Sequence, residues 1–96
     1  MVRLRPLKND RAKVTFELPA NPDLENVSVV GEFNDWDPHA LPMKRLKDGR
    51  FQASVTLRAA ERYEFLYLAN DGRHLIDERC DTCPNPHGGE NSVLHT

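Results

Sequence analysis

From Phe51 to Leu57 every second residue is apolar: Phe51, Ala53, Val55 and Leu57 alternate with Gln52, Ser54 and Thr56. A period of two buries one face and wets the other only when the chain is a β-strand. The same alternation returns in short runs along the sequence, and no helical period is sustained anywhere. Val14, Phe16 and Leu18 share one face of a run from Lys13, which Pro19-Ala20-Asn21-Pro22 ends. Val27 to Phe33 is a valine-rich run closed by Asn34-Asp35, and Leu41 to Leu46 is a weaker one. Asp48-Gly49 predicts a tight primed turn, because that pair supplies the positive φ angles such a turn needs. Tyr63, Phe65 and Tyr67 then share one face, and Glu64, Leu66 and Leu68 share the other, which is unusually apolar for a solvent side. Asn70-Asp71-Gly72 turns the chain into a short run from Arg73 to Ile76. A polar loop from Asp77 to Glu90 leads to a closing run from Asn91 to His95.

About six or seven short strands at near-regular spacing predict an all-β, immunoglobulin-like antiparallel β-sandwich. Val14, Phe16, Val29, Phe51, Val55, Phe65 and Tyr67 are expected in its core. A chain of 96 residues has room for one domain, placed at residues 13–96 behind an N-terminal arm of residues 1–12. The arm's basic residues, among them Arg3, Arg5, Lys8 and Arg11, are interrupted by Pro6, Asn9 and Asp10, so they read as a solvated segment.

Thirteen Lys and Arg stand against fifteen Asp and Glu, a net charge of -2, which argues against a nucleic-acid partner. No apolar run approaches the roughly 20 residues that span a bilayer. The start, Met1-Val2-Arg3-Leu4, has no signal-peptide apolar segment behind it. The expectation is a cytoplasmic protein with neither nucleic acid nor membrane as partner.

Catalytic signatures are missing: there is no nucleophile elbow, phosphate loop or H-E-x-x-H pair. Gly88-Gly89 is a lone glycine pair and reads as a flexible turn. The carboxylates are scattered, and a small sandwich lacks the deep cleft that shifts their pKa values. The chain is therefore not expected to be an enzyme or to carry a cofactor. Cys80 and Cys83 form a lone C-x-x-C in a proline-rich loop, with His87 four residues on. They read as two reduced thiols; a metal site using Cys80, Cys83 and His87, or a redox pair, are the alternatives.

The segment Gly31-Glu32-Phe33-Asn34-Asp35-Trp36-Asp37-Pro38 puts the only tryptophan of the chain on a turn among polar residues. A flat indole stacks well on the C–H face of a sugar ring, with polar side chains bonding the hydroxyls around it. The other reading of Trp36 is a plug at the sandwich edge, its N–H bonded to a carbonyl.

Val27-Ser28-Val29-Val30-Gly31-Glu32-Phe33-Asn34-Asp35-Trp36, followed by Asp48-Gly49-Arg50-Phe51, Tyr63-Glu64-Phe65 and Asn70-Asp71-Gly72, resembles carbohydrate-binding module family 48. This is the early-set domain of isoamylase and glycogen branching enzymes, and it includes the glycogen-binding domain of the AMP-activated protein kinase β subunit. The ending from Pro84 to Val93 is similar to stand-alone bacterial early-set proteins. The resemblance runs from about Lys13 to His95 and implies a non-catalytic module that binds glycogen or starch. It implies sugar stacked on Trp36, with Asn91 bonding a hydroxyl. Glu64 stands where the family carries a lysine, and His74 lies near a second family tryptophan. Binding to an α-1,4-glucan is therefore expected to be weak. The resemblance also leaves room for a protein partner, a glycogen-metabolising enzyme served in trans. The rival reading is an interaction domain that kept the fold and lost the sugar site, with Leu66 and Leu68 as its exposed surface.

Overall fold

Nine short strands, built on the alternating runs, form two antiparallel sheets in the computed structural model, which describes residues 1–96. The first sheet has the order β1-β2-β5-β4, from Val2–Leu7, Arg11–Leu18, Phe51–Arg58 and Lys44–Arg45. The second has the order β3-β6-β9-β8, from Val27–Gly31, Arg62–Ala69, Glu90–His95 and Asp81–Pro84. The two-residue β7, His74–Leu75, also pairs with β6. No helix is long and apolar enough to cross a membrane.

Period-two burial closes the sandwich. Phe16, Phe51, Phe65 and Tyr67 are at most 1% exposed and interlock between the sheets. Phe65 sits edge-on to Phe16 with ring centres 5.0 Å apart, and edge-on to Tyr67 at 5.6 Å. Val14 and Val29 are buried as expected. Val55 is only half-buried against the core, because β4 pairs with β5 at Phe51 and Gln52 and leaves the later edge of β5 uncovered.

The structure corrects several expectations from the sequence. Residues 2–7, expected as part of a solvated arm, are an edge strand whose backbone pairs with β2 from Val2↔Phe16 to Leu7↔Arg11. Their side chains stay mostly exposed, as charged and proline-bearing edge strands require. The expected loop 77–90 contains β8, which pairs with β9 and ends at Pro84, a residue tolerated on an edge. At the Asp48-Gly49 turn only Gly49 is left-handed, at φ +91°, so the hairpin closes without the primed geometry. The Leu41–Leu46 run divides: Leu41 and Met43 bond the backbone of β3, while Lys44 and Arg45 pair with β5. Of the two leucines expected as an exposed apolar surface on the outer face of the second sheet, Leu66 is 8% exposed beside the buried Val30, and Leu68 is half-buried.

Beneath the sheets lies one buried charge. Asp77 is 2% exposed and accepts hydrogen bonds from the Tyr67 hydroxyl at 2.7 Å, the Arg79 backbone N–H at 3.0 Å and the Met1 ammonium. Its own N–H donates to the Ser92 hydroxyl at 2.7 Å. Burial pushes the carboxyl up, but these donors outweigh it and hold Asp77 below the usual carboxylate range.

Candidate functional site

The corner that carries Trp36 is explained residue by residue. Gly31 ends β3 against β6: a Cβ there would stand 2.7 Å from the Glu64 carbonyl oxygen and 2.9 Å from the Phe65 Cβ. Neither atom can give way without moving the central strand. Phe33 turns inward and packs against Phe16 and Tyr63. Asn34 clamps the strand end, accepting from the Gly31 N–H at 3.1 Å and donating to the Val29 carbonyl at 3.0 Å. Asp35 and Trp36 then both adopt left-handed backbone, at φ 55° and 58°. For a tryptophan that conformation costs on the order of 1–3 kcal/mol and persists only where its surroundings enforce it. Here the Trp36 N–H bonds the Gly31 carbonyl at 2.9 Å, and the indole residue is 39% exposed. Gly31→Ala should therefore destabilise the fold by roughly 1–3 kcal/mol through overpacking, read as a lower melting temperature. An unchanged melting temperature would mean the corner is looser than described.

Glu64 and Asn91 come together on the outer face of the second sheet. Glu64 lies opposite Val93, and Asn91 is its diagonal neighbour on the same face. The Asn91 Nδ2 donates to Glu64 Oε1 at 3.0 Å, and Arg62 donates to Glu64 Oε2 at 3.0 Å. Hydrogen bonds from Asn91, Cys83 and Arg62 hold the Glu64 carboxyl below its usual range against a smaller opposing effect of burial. The Glu64 backbone N–H donates to Glu32 Oε1 at 2.7 Å, which ties this strand to the Trp36 corner. His74 is exposed and pairs with Leu68 on the same face. Leu68 is four positions along β6 from Glu64, so His74 lies about 13 Å along the sheet from the Glu64 pair.

Of the four expected residues, Glu64 and Asn91 are hydrogen-bonded to each other. Trp36 stands at the corner beyond the end of β3, and His74 marks the far end of the face. Asn91 is 6% exposed, so it backs Glu64 more than it faces solvent. Cys83 lies opposite Asn91 on β8, and its bond to Glu64 pushes the thiol up. Cys80 instead packs against the core, where burial pushes its thiol up to about 11. His87 is exposed on the loop beyond β8, and no three His, Cys, Asp or Glu side chains are grouped to hold a metal. Sequence reading misses Arg62 and Asn85; the period of two from Glu64 points to the first.

Residues 5–83 match the model of carbohydrate-binding module 48, the isoamylase N-terminal domain. The chain belongs to this family. Among curated relatives, the 1,4-alpha-glucan branching enzyme GlgB of Butyrivibrio fibrisolvens is 45% identical over 58 residues, covering 56% of this chain. The enzyme of the same name from Burkholderia cenocepacia is 39% identical over 64 residues, covering 65% of this chain. The matched segment spans about 9% of the length of either relative. The enterobactin esterase FES of Shigella flexneri matches its fold with a TM-score of 0.77 at 16% identity, over 98% of this chain and 32% of that one. At that identity the likeness concerns the sandwich alone.

Proposed function

We propose that this family 48 module is a non-catalytic binder of α-1,4-glucan, glycogen or starch, and that it binds weakly. The observation that carries the reading is an exposed indole held at a strained corner; an ionised carboxylate and ordered amides on the outer face of the second sheet support it. An indole offers the flat face on which a glucose ring stacks, and Glu64 accepts hydroxyl protons at its side. Asn91 lies behind Glu64, and His74 extends the same face. With a single indole the stacking contribution is limited, and affinity near the millimolar range, about 4 kcal/mol, follows. The proposed setting is the cytoplasm, and the two unpaired cysteines fit a reducing compartment. A glucan-modifying enzyme is the proposed companion, on the same chain or a separate one; nucleic acid and membrane are not proposed partners.

The test is migration in a native gel cast with glycogen. The parent should be retarded and Trp36→Ala should not, while the far-ultraviolet β-sheet spectrum of the variant stays that of the parent. Retardation that survives Trp36→Ala would move the site elsewhere. A parent that runs freely would favour the interaction-domain reading.

A further inference from the structure

Asn85, Asn91 and Glu64 form a hydrogen-bond chain whose direction is fixed from both ends. The Asn85 Nδ2 donates to Asn91 Oδ1 at 3.3 Å, and Asn91 Nδ2 donates to Glu64 Oε1 at 3.0 Å. A side-chain amide can usually turn over and exchange its oxygen with its nitrogen. At the Asn85 end that exchange is blocked, because Asn85 Oδ1 already accepts from the backbone N–H groups of His87 at 2.9 Å and Gly89 at 3.0 Å. The same residue closes the loop through its own backbone, its N–H donating to the Gly89 carbonyl at 2.9 Å. At the other end an ionised Glu64 has only acceptors. Asn91 lies between them, 6% exposed, and no buried side-chain polar atom is left without a partner. Turning Asn91 over would set oxygen against carboxylate and amide N–H₂ against amide N–H₂, two repulsive contacts in place of two hydrogen bonds.

We propose that Asn85 is a positioning residue of the sugar face: it fixes the Asn91 amide, and through it holds the Glu64 carboxylate as a pre-set acceptor for glucan hydroxyls. The assignment rests on the glucan-binding reading above. Glu64 has both oxygens anchored, one by Asn91 and one by Arg62, while its side chain keeps 23% exposure. Held at both oxygens, the carboxylate cannot rotate freely, and its partial exposure leaves it within reach of a ligand. Such a group receives a sugar O–H without first losing rotamer freedom, which is where pre-organisation adds affinity. Asn85 itself does not need to touch the sugar.

Asn85→Asp separates this role from loop structure. The substitution preserves size and both acceptor bonds to His87 and Gly89, but it presents oxygen where Asn91 Oδ1 needs a donor. The melting temperature should stay within a few degrees of the parent. Maltoheptaose affinity should fall roughly five- to tenfold, and the Asn91 side-chain amide signals in a nitrogen–proton spectrum should shift and exchange faster with water. Adding Glu64→Gln supplies a donor at the far end, so the chain can run in the opposite direction. The double variant should regain the slow amide exchange and bind within about twofold of Glu64→Gln alone, a coupling that a merely structural role would not produce. Unchanged affinity and unchanged Asn91 signals in Asn85→Asp would overturn the proposal while leaving glucan binding intact. Should Asn85→Asp fail to fold, the parent decides: fast exchange of its Asn91 amide would overturn the chain, and slow exchange uphold it. A parent that binds no maltoheptaose would sink the glucan reading and this inference together.

Discussion

Phe65→Ala should lower the free energy of unfolding by roughly 3–5 kcal/mol, the cost of emptying a fully buried aromatic site. Phe65 is 0% exposed and its ring is wedged against Phe16 from the opposite sheet and Tyr67 from its own strand. It lies on β6, which carries the backbone of β3, β7 and β9, so collapse around the cavity would disturb four strands at once. Domains of this size hold only about 5–15 kcal/mol in total. At about 4–8 °C per kcal/mol, the melting temperature should fall by more than about 10 °C. A variant that melts within about 3 °C of the parent would mean that the two sheets are not joined through this residue.

Asp77→Ala is expected to cost about 3 kcal/mol at neutral pH, because it strands the Tyr67 hydroxyl in a buried site and removes the acceptor of the Arg79 N–H and the Met1 ammonium. Tyr67 is 0% exposed and has Asp77 as the acceptor for its hydroxyl. Burial pushes the Tyr67 phenol far up, and the bond to Asp77 pushes it further, which favours the protonated hydroxyl that donates to Asp77. Asp77 is ionised in the folded protein below the pH at which an unfolded aspartate would titrate, since its folded pKa is lowered. The sign follows from linkage: the unfolded chain takes up the proton first as pH falls, so stability is full above about pH 5 and drains away below about pH 4. Urea unfolding of the parent between pH 7 and pH 3 should therefore show an acid loss that is shallower in Asp77→Ala. Equal slopes in the two proteins would show that Asp77 is not the group responsible. Tyr67→Phe, which removes a single donor, should cost less than Asp77→Ala, about 1 kcal/mol.

The strands that read most clearly from sequence are those buried on one face. β5 and β6 place Phe51, Ala53, Phe65 and Tyr67 inward by simple alternation. β1 and β8 are hard to see because edges need little apolar signal: Leu4 is 44% exposed, and Thr82 and Pro84 are exposed although they pair within the sheet. The apolar outer face of β6 misleads for the opposite reason. Leu66 lies beside Val30 in the sheet and is buried with it, which no single-strand pattern reveals. The Trp36 corner is legible because Gly31 to Trp36 is one contiguous segment whose turn is built locally, by the Asn34 clamp on Gly31 and Val29 and by two left-handed steps. The bond between Glu64 and Asn91, and the link on to Asn85, depend on the register between β6, β8 and β9. Register joins residues 27 positions apart in the chain, and composition and spacing do not encode it.

The central claim is that a glucan stacks on Trp36. It is tested most directly by titrating maltoheptaose into the protein while following the emission of Trp36, the only tryptophan in the chain. The account predicts a saturable change with a dissociation constant near the millimolar range, about 4 kcal/mol of binding. Emission that stays flat up to about 10 mM sugar, well above that constant, would contradict it.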